Sequence, residues 1–318
     1  MSLRILVTGV SGFVGSALCA RLLGDGALVR GAVRTPHSPS GGVEGVVIGD
    51  LSSETDWTSA LRNVEQVVHL AARVHVMDDK SLDPLAEFRS VNVEGTAALA
   101  RQAAAAGVRR FVFLSSIKVN GEFTEVGQSF TAEDAPAPQE PYAVSKREAE
   151  QLLRQLATET GMEVVIIRPP LVYGAGVKAN FHSMMRWLVR GVPLPMAAVT
   201  ENRRSLVALD NLVDLIVTCL NHPAAANQTF LVSDGEDLST ADLLKRMGVA
   251  LGHPAHLFYM PPALLKLGAA IVSRPGIYQR LCASLQLDIT KTCQLLGWAP
   301  PVSVDEGLRS AAEGFLSK

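Results

Sequence analysis

The sequence predicts an α/β fold built on a doubly wound parallel sheet, and three observations support this prediction. Short apolar segments alternate with longer segments of helical character through the first half of the chain, beginning with the apolar run at 3–7. These apolar segments are continuous rather than alternating with polar residues, which is typical of strands buried on both faces. The segments between them are mostly long enough to hold a helix, as connections between parallel strands require.

The elements can be assigned in order along the chain. Strands are predicted at 3–7, 28–33, 43–48, 66–70, 110–114 and 163–168. Helices are predicted after residue 13, at 55–62, at 84–106 and at 141–161. After Pro169 and Pro170 the regular alternation ends. A helix is expected near 181–190, two late strands near 205–209 and 229–232, a helix at 210–220 between them, and mainly helices from 238 onward.

A glycine-rich turn, Thr8–Gly15, separates the first strand from the first helix. Gly9 permits a sharp turn, Gly12 lets the backbone approach a pyrophosphate, and Gly15 lets the helix pack against the strand. The free N–H groups at the start of a helix attract phosphates. The spacing is GxxGxxG, and an ordinary strand-to-helix loop is the alternative interpretation. Its position between strand and helix favours a dinucleotide-binding Rossmann unit.

Two domains are expected from this pattern. Residues 1–173 are predicted to form a dinucleotide-binding domain, to which residues 205–233 return. Residues 174–204 and 234–318 are predicted to form a smaller, mostly helical substrate domain. Substrate contacts are expected from this second part, because ligands of doubly wound sheets bind at the C-terminal ends of the strands.

Composition excludes several classes of function. The chain has 318 residues, 48% of them hydrophobic, and a formal net charge of −2, which gives no reason to expect a nucleic-acid partner. Its four cysteines lack CxxC or metal-binding spacing, so we expect reduced thiols and no metal site. No apolar run reaches the length of a transmembrane helix, and no signal peptide precedes the first strand. A cytoplasmic protein is therefore expected.

Three residues form a candidate catalytic group. Tyr142 and Lys146 are four residues apart on a predicted helix, so they share a face. Ser116 follows the fifth strand, at the edge of the sheet where ligands bind. Reduction of a ketone needs a proton for the oxygen, and a tyrosine hydroxyl can supply it or remove it in reverse. A nearby ammonium favours the phenolate, so we expect Lys146 to lower the pKa of Tyr142 while Ser116 orients the substrate oxygen.

Seven motifs occur together in a characteristic order: Thr8–Gly15, Asp50-Leu51, His69–Ala72, Asn92–Thr96, Leu114–Ser116, Tyr142 with Lys146, and Arg168–Gly174. This set resembles the extended short-chain dehydrogenase/reductase family, whose members include nucleotide-sugar epimerases, dehydratases and ketoreductases. The resemblance implies that Asp50 and Leu51 contact adenine and that Pro169 packs beside the nicotinamide. The cofactor contacts it implies are Gly9, Ser11, Gly12, Phe13, Val14, Gly15, Asp50, Leu51, Leu70, Ala71, Ala72, Ser115, Tyr142, Lys146 and Pro169.

The second half of the chain resembles the nucleotide-sugar branch of that family. Asn180 matches a segment that contacts the diphosphate, and Arg203 matches a phosphate-binding arginine. Arg204 is adjacent, so either arginine could correspond to the phosphate-binding one. The alternative interpretation is that both arginines are solvated loop residues. The amino-acid sequence around Ser116, Asn180 and Arg203 resembles that of bacterial enzymes that make hexosamines for surface polysaccharides. These enzymes include reductases of UDP-4-keto-6-deoxy-N-acetylglucosamine.

The predicted cofactor is NADP(H), with NAD(H) as the alternative. Arg34 ends the second strand where NAD enzymes usually place an acidic residue, and an arginine can pair with a 2′-phosphate. NADPH suits a reductase, so the predicted function is a UDP-sugar 4-ketoreductase. The alternatives are a UDP-hexose 4-epimerase with bound NAD and a non-catalytic NADP-sensing regulator. Because Ile117 and Lys118 stand where dehydratases of the family carry Asp-Glu, dehydration is not expected. Relatives often pair through two long helices, so a homodimer is expected.

Overall fold

A parallel sheet of seven strands forms the centre of the part of the chain that the structure describes. The computed structural model describes residues 3–36, 39, 41–74, 83–125, 127–261, 263–265 and 275–317. The strands of this main sheet are β1 (Arg4–Thr8), β2 (Leu28–Val33), β3 (Glu44–Val47), β4 (Gln66–His69), β5 (Arg110–Leu114), β6 (Glu163–Arg168) and β9 (Thr229–Leu231). Their order is β3-β2-β1-β4-β5-β6-β9, and every neighbouring pair is parallel.

Helices cover both faces of this sheet. The helices are α1 (Phe13–Gly24), α2 (Pro84–Arg89), α3 (Thr96–Ala105), α4 (Pro141–Thr160), α5 (Ala179–Val189), α6 (Leu209–Asn221), α7 (Thr240–Leu251), α8 (Pro275–Cys282), α9 (Thr290–Leu296) and α10 (Val304–Leu316). Alternate residues of β1 show the two-sided packing: Ile5 and Val7 belong to the core under α1 and α6, whereas Leu6 belongs to the core under α3 and α4. This is the predicted doubly wound arrangement.

Two predicted helices differ from the structure. The helix expected at 84–106 consists of α2 and α3 separated by a π-helical segment, Ser90–Gly95. The helix expected at 55–62 is wrong: these residues form turns, with one helical hydrogen bond from the Leu61 N–H to the Trp57 carbonyl at 2.9 Å. The Gln102 side chain bonds the Trp57 N–H at 2.8 Å and the Thr55 carbonyl at 2.9 Å, so a distant side chain takes the place of local helical bonds.

The two late apolar runs enter different sheets. Strand β9 extends the main sheet beside β6. Strand β8 (Arg204–Ala208) lies instead in a second, three-stranded sheet of order β10-β8-β7, with β7 at Leu171–Tyr173 and β10 at Asp237–Leu238. Pro169 and Pro170 separate β6 from β7, and proline lacks the N–H group that would continue a strand ladder. The division of the chain into a dinucleotide-binding and a substrate domain remains a prediction.

A second hydrophobic core lies beside this smaller sheet. Helices α5, α7 and α10 pack around Tyr173 and Leu206 there. The chain then returns to the main sheet, because Leu296 and Trp298 belong to the core that contains β1, α1 and α6. In the described ranges, no helix combines the length and the apolar character needed to cross a membrane.

Candidate active site

The C-terminal ends of β1, β4, β5 and β6 meet along one edge of the main sheet. The strand order reverses between β1 and β4, which marks the crevice where ligands of doubly wound sheets bind. Thr8, His69, Leu114 and Arg168 end these four strands. Most of the residues predicted for the cofactor and for catalysis lie on or directly after these ends.

The glycine turn has the tight geometry that the sequence predicts. Gly9 has a φ of +72°, and the Gly12 N–H donates to the Gly9 carbonyl at 2.9 Å. A Cβ added to Gly15 would lie 2.1 Å from the Gly9 oxygen, so the helix approaches the turn too closely for any side chain at this position. No side chain caps the start of α1, whose first turn contains Phe13, Val14 and Gly15. An uncapped helix start beside a glycine turn fits a pyrophosphate.

A buried histidine connects this turn to the neighbouring strand. The Thr8 hydroxyl lies 2.8 Å from His69 Nδ1 and accepts from the N–H groups of Leu70 and Ala71 at 3.1 and 3.0 Å. On the other side of the ring, His69 Nε2 lies 2.9 Å from the Thr96 hydroxyl, which donates to the Asn92 carbonyl at 2.7 Å. Burial, together with a smaller effect of the nearby Lys146, lowers the pKa of His69 to about 3. His69 is therefore a neutral anchor for the segment that carries Leu70, Ala71 and Ala72.

Lys146 is buried directly behind the end of β5. Its side chain is 2% exposed, and its Nζ donates to the Leu114 carbonyl at 2.9 Å and lies 4.4 Å from the centroid of the Phe113 ring. Burial lowers the pKa of Lys146 to about 7, while Glu150 raises it. In the described part of the chain no carboxylate lies within ion-pair distance of this ammonium, whose remaining N–H groups fit the ribose hydroxyls of a nucleotide.

Tyr142 and Ser116 are partly buried near the same edge. The Tyr142 ring packs edge-on against Phe88, with 6.0 Å between the ring centroids. Ser116 directly follows Ser115 after β5, and its hydroxyl accepts from the Lys118 N–H at 3.3 Å. Burial raises the pKa of the Tyr142 phenol to about 12. Burial alone thus shifts this pKa opposite to the lowering expected from Lys146, and that lowering stays a prediction.

A buried ion pair that the sequence analysis missed lies next to the candidate catalytic residues. Glu150 is fully buried and receives hydrogen bonds from Ser115 Oγ at 2.6 Å and from Arg168 Nε at 2.9 Å. Asn120 accepts from Arg168 Nη1 at 2.9 Å and donates to the Thr131 carbonyl at 2.8 Å. The spacing of Glu150, one helical turn after Lys146, was the available signal.

The remaining predicted cofactor residues lie along the same edge of the main sheet, and their side chains differ in solvent exposure. Arg34 is exposed directly after β2, and Asp50 and Ser11 are exposed as well. Leu51 packs against Gly95, where an added Cβ would lie 2.9 Å from the leucine side chain. Pro169 is buried after β6, and its carbonyl accepts from the Ile117 N–H at 3.0 Å.

The structure distinguishes the two candidate phosphate-binding arginines. The Arg203 side chain is exposed and bonds its own loop, with Nη1 donating to the Thr200 carbonyl at 2.7 Å and the Asn202 carbonyl at 3.0 Å. Arg204 is half-buried, its Nη1 donates to the Ala283 carbonyl at 2.9 Å, and burial lowers its pKa. Among described residues no carboxylate pairs with Arg204, so its guanidinium fits an anionic ligand better. Asn180 is exposed in the first turn of α5.

The candidate site thus combines a tight glycine turn and an uncapped helix start with a buried lysine, a tyrosine and a serine. In the described ranges, no group of three or more His, Cys, Asp or Glu side chains is arranged to hold a metal ion. The family model described as "NAD dependent epimerase/dehydratase family" matches residues 5–233. The chain belongs to the NAD dependent epimerase/dehydratase family. This confirms the predicted resemblance to extended short-chain dehydrogenases/reductases.

Several known proteins resemble the chain over nearly its whole length. A UDP-glucose 4-epimerase of Vibrio cholerae is 49% identical over 317 residues, covering 99% of this chain and 96% of the relative. The UDP-glucose 4-epimerase of Thermotoga maritima, in a structure with UDP-glucose, is 25% identical with a TM-score of 0.78 and covers 99% of both chains. MoeE5 in complex with UDP-glucose and NAD has the same identity, TM-score and coverage.

Proposed function

We propose that this protein is a UDP-hexose 4-epimerase that works with tightly held NAD. The sequence alone favoured a 4-ketoreductase and kept the epimerase as the alternative. The alternative now has the better support, since the Vibrio cholerae relative named UDP-glucose 4-epimerase is 49% identical over nearly the whole chain. This similarity carries the proposal, and the arrangement of Ser116, Tyr142 and Lys146 beside the glycine turn is consistent with it.

Each member of the catalytic group has a distinct proposed role. A nicotinamide dinucleotide held by these residues would supply the reversible hydride transfer at C4 of the sugar that an epimerase requires. Tyr142 removes the proton from the C4 hydroxyl and later gives it back, while Ser116 holds the oxygen in line. A phenol with a pKa of about 12 is a poor base at neutral pH, so Tyr142 needs a positive charge beside it. Lys146 is the chain's own source of that charge.

The proposed cofactor site includes the glycine turn, Leu70–Ala72 and Lys146. The close contact at Gly15 and the uncapped start of α1 leave room for a pyrophosphate but not for a side chain. Lys146 would hold the ribose hydroxyls of the nicotinamide half, and Pro169 would pack beside its ring. For the substrate, Arg204 would bind the diphosphate, with Asn180 nearby and Arg203 outside the site. A homodimer in the cytoplasm remains a prediction.

Product analysis tests the proposal directly. The protein is incubated with NAD and, separately, with UDP-glucose and UDP-N-acetylglucosamine, and the nucleotide sugars are separated and identified. We expect interconversion with the 4-epimer of at least one substrate, and a loss of about 100-fold or more in the Tyr142→Phe variant because the proton carrier is removed. NADH binding by that variant should be retained, which shows that it is folded. Absence of any 4-epimer from the wild-type protein would refute the proposal.

One observation keeps the 4-ketoreductase as a second candidate. Arg34 is exposed after β2, where an acidic residue would bond the ribose 2′-hydroxyl of NAD. A reductase would consume NADPH with a UDP-4-keto-6-deoxy-N-acetylhexosamine and would form no epimer from UDP-N-acetylglucosamine. Fluorescence titration with NADPH and NADH complements this assay. Clearly tighter binding of NADPH, together with its consumption by the keto sugar, would reverse the order of the two proposals.

A further inference from the structure

Glu150 lies at the centre of a buried charge network beneath the proposed catalytic residues. Its Oε1 accepts from Ser115 Oγ and Arg168 Nε, and its Oε2 accepts from Arg168 Nη2 at 2.5 Å and from Arg154 Nη2 at 3.1 Å. The carboxylate therefore ties α4 to the ends of β5 and β6, directly beside Ser116 and Pro169. A fully buried carboxylate with this many donors is held in a single position.

The same carboxylate is the only anion that faces Lys146 among the described residues. From α4, Tyr142 and Glu150 lie one helical turn away on either side of Lys146. From β4, His69 is neutral, and β5 contributes only the Phe113 ring and the Leu114 carbonyl. The nearby cations, Arg168 and Arg154, are both paired with Glu150.

We propose that Glu150 is a positioning residue that keeps Lys146 cationic and in place for catalysis and cofactor binding. The proposal rests on the role assigned to Lys146 in the proposed function. It follows from the charges around the site: without the Glu150 carboxylate, Lys146 would lie near the buried Arg168 cation and the partly exposed Arg154 cation, with no anion facing it among the described residues.

Lys146 changes between its charged and its neutral form near neutral pH. Burial lowers the pKa of Lys146 to about 7, and Glu150 acts in the opposite direction by raising it. Removing the negative charge at position 150 should therefore lower the pKa of Lys146 further. Lys146 would then lose its proton at a lower pH, so the alkaline decline of any property that depends on its charge should move to lower pH.

The test uses Glu150→Gln, which keeps the shape of the side chain and removes its charge. NADH binding is followed by fluorescence between about pH 6 and 9, together with the pH profile of kcat. We expect the alkaline decline of both to move down by about one pH unit or more, which corresponds to roughly a tenfold loss at a fixed alkaline pH. KM for the nucleotide sugar should change little, because the proposal assigns Glu150 no contact with the nucleotide sugar.

Glu163→Gln is the matched control. Glu163 pairs with the buried Arg110, with 2.7 Å between Oε2 and Nε, but it lies at the opposite end of β6. Both variants leave a buried arginine without its carboxylate, so both should lower stability. Only Glu150→Gln should shift the pH profile. Equal shifts in both variants, or an unshifted profile in folded Glu150→Gln, would overturn the proposal.

Arg154→Gln provides a test that does not depend on the folding of Glu150→Gln. The Arg154 side chain is 45% exposed, so its replacement leaves the core intact. The substitution removes a positive charge beside Glu150, so the remaining negative charge should raise the pKa of Lys146. The alkaline decline of NADH binding should therefore move to higher pH, most clearly at low salt. A downward or absent shift would contradict the proposal. Since NADH binding requires no sugar, a wild-type protein that binds NADH but forms no epimer would refute the proposed function separately.

Discussion

The hydrogen-bond partners of the buried His69 side chain determine its protonation state. The Thr8 hydroxyl accepts two backbone N–H groups and donates to Nδ1, while Thr96 uses its own proton on the Asn92 carbonyl and accepts from Nε2. The ring therefore carries its single proton on Nε2. A second proton would need a partner at Nδ1, and Thr8 would have to give up its own bond. This arrangement agrees with the low pKa of about 3.

This neutral ring predicts acid sensitivity. An unfolded histidine titrates near pH 6.5, so below that pH the unfolded state binds a proton that folded His69 refuses until about pH 3. Stability should therefore fall as the pH drops through 6.5, by about 2 kcal/mol between pH 7 and pH 5 from this residue alone. Urea denaturation at both pH values measures the loss. The His69→Gln variant should not show this part of the stability loss between pH 7 and pH 5. An identical pH dependence of stability in both proteins would contradict the neutral state assigned to His69.

At the scale of elements, the contact between α1 and the glycine turn can be tested within one helix. A Cβ at Gly15 would lie 2.1 Å from the Gly9 oxygen, whereas a Cβ at Gly24 would meet nothing within 4 Å. Gly15→Ala must displace the turn, at a cost of about 1–3 kcal/mol in stability. We also expect at least roughly tenfold weaker NADH binding, about 1.4 kcal/mol.

Gly24→Ala is the control for this prediction. It adds the same methyl group to the same helix, and its stability should stay unchanged or rise by up to about 1 kcal/mol, since alanine favours helix more than glycine does. Thermal denaturation and NADH titration of both variants provide the comparison. Normal NADH binding by Gly15→Ala would show that the turn does not hold the cofactor's pyrophosphate.

For the molecule as a whole, a feature could be predicted when the residues that determine it are close together in the sequence. The glycine turn and the strands of the main sheet depend on short apolar runs and neighbouring glycines, so the sequence indicates them directly. The turns at 55–62 depend on Gln102, which is distant in sequence. The pairing of β8 depends on β7 and β10, which lie about 30 residues before and after it in the chain. The roles of Asn120 and Glu150 likewise depend on Arg168, a partner that adjacency in sequence does not reveal.

The C-terminal segment packs against the core of the main sheet. Trp298 is 6% exposed within the core that contains β1, α1 and α6, and its Nε1 donates to Asp214 at 2.9 Å. Asn211 of α6 also exchanges two hydrogen bonds with the backbone of Val302, at 2.8 and 2.9 Å. The tail therefore completes the first core rather than belonging to the second core alone.

Trp298→Ala should consequently weaken the whole protein. Removing this side chain leaves a large cavity beneath the main sheet and should cost about 3–5 kcal/mol, whereas Trp298→Phe keeps most of the volume and should cost less. Urea unfolding is followed by far-ultraviolet circular dichroism and by NADH binding. If the tail is part of the main core, both signals of the alanine variant will shift together to lower urea. A shift in circular dichroism alone would mean that the first core folds without its tail.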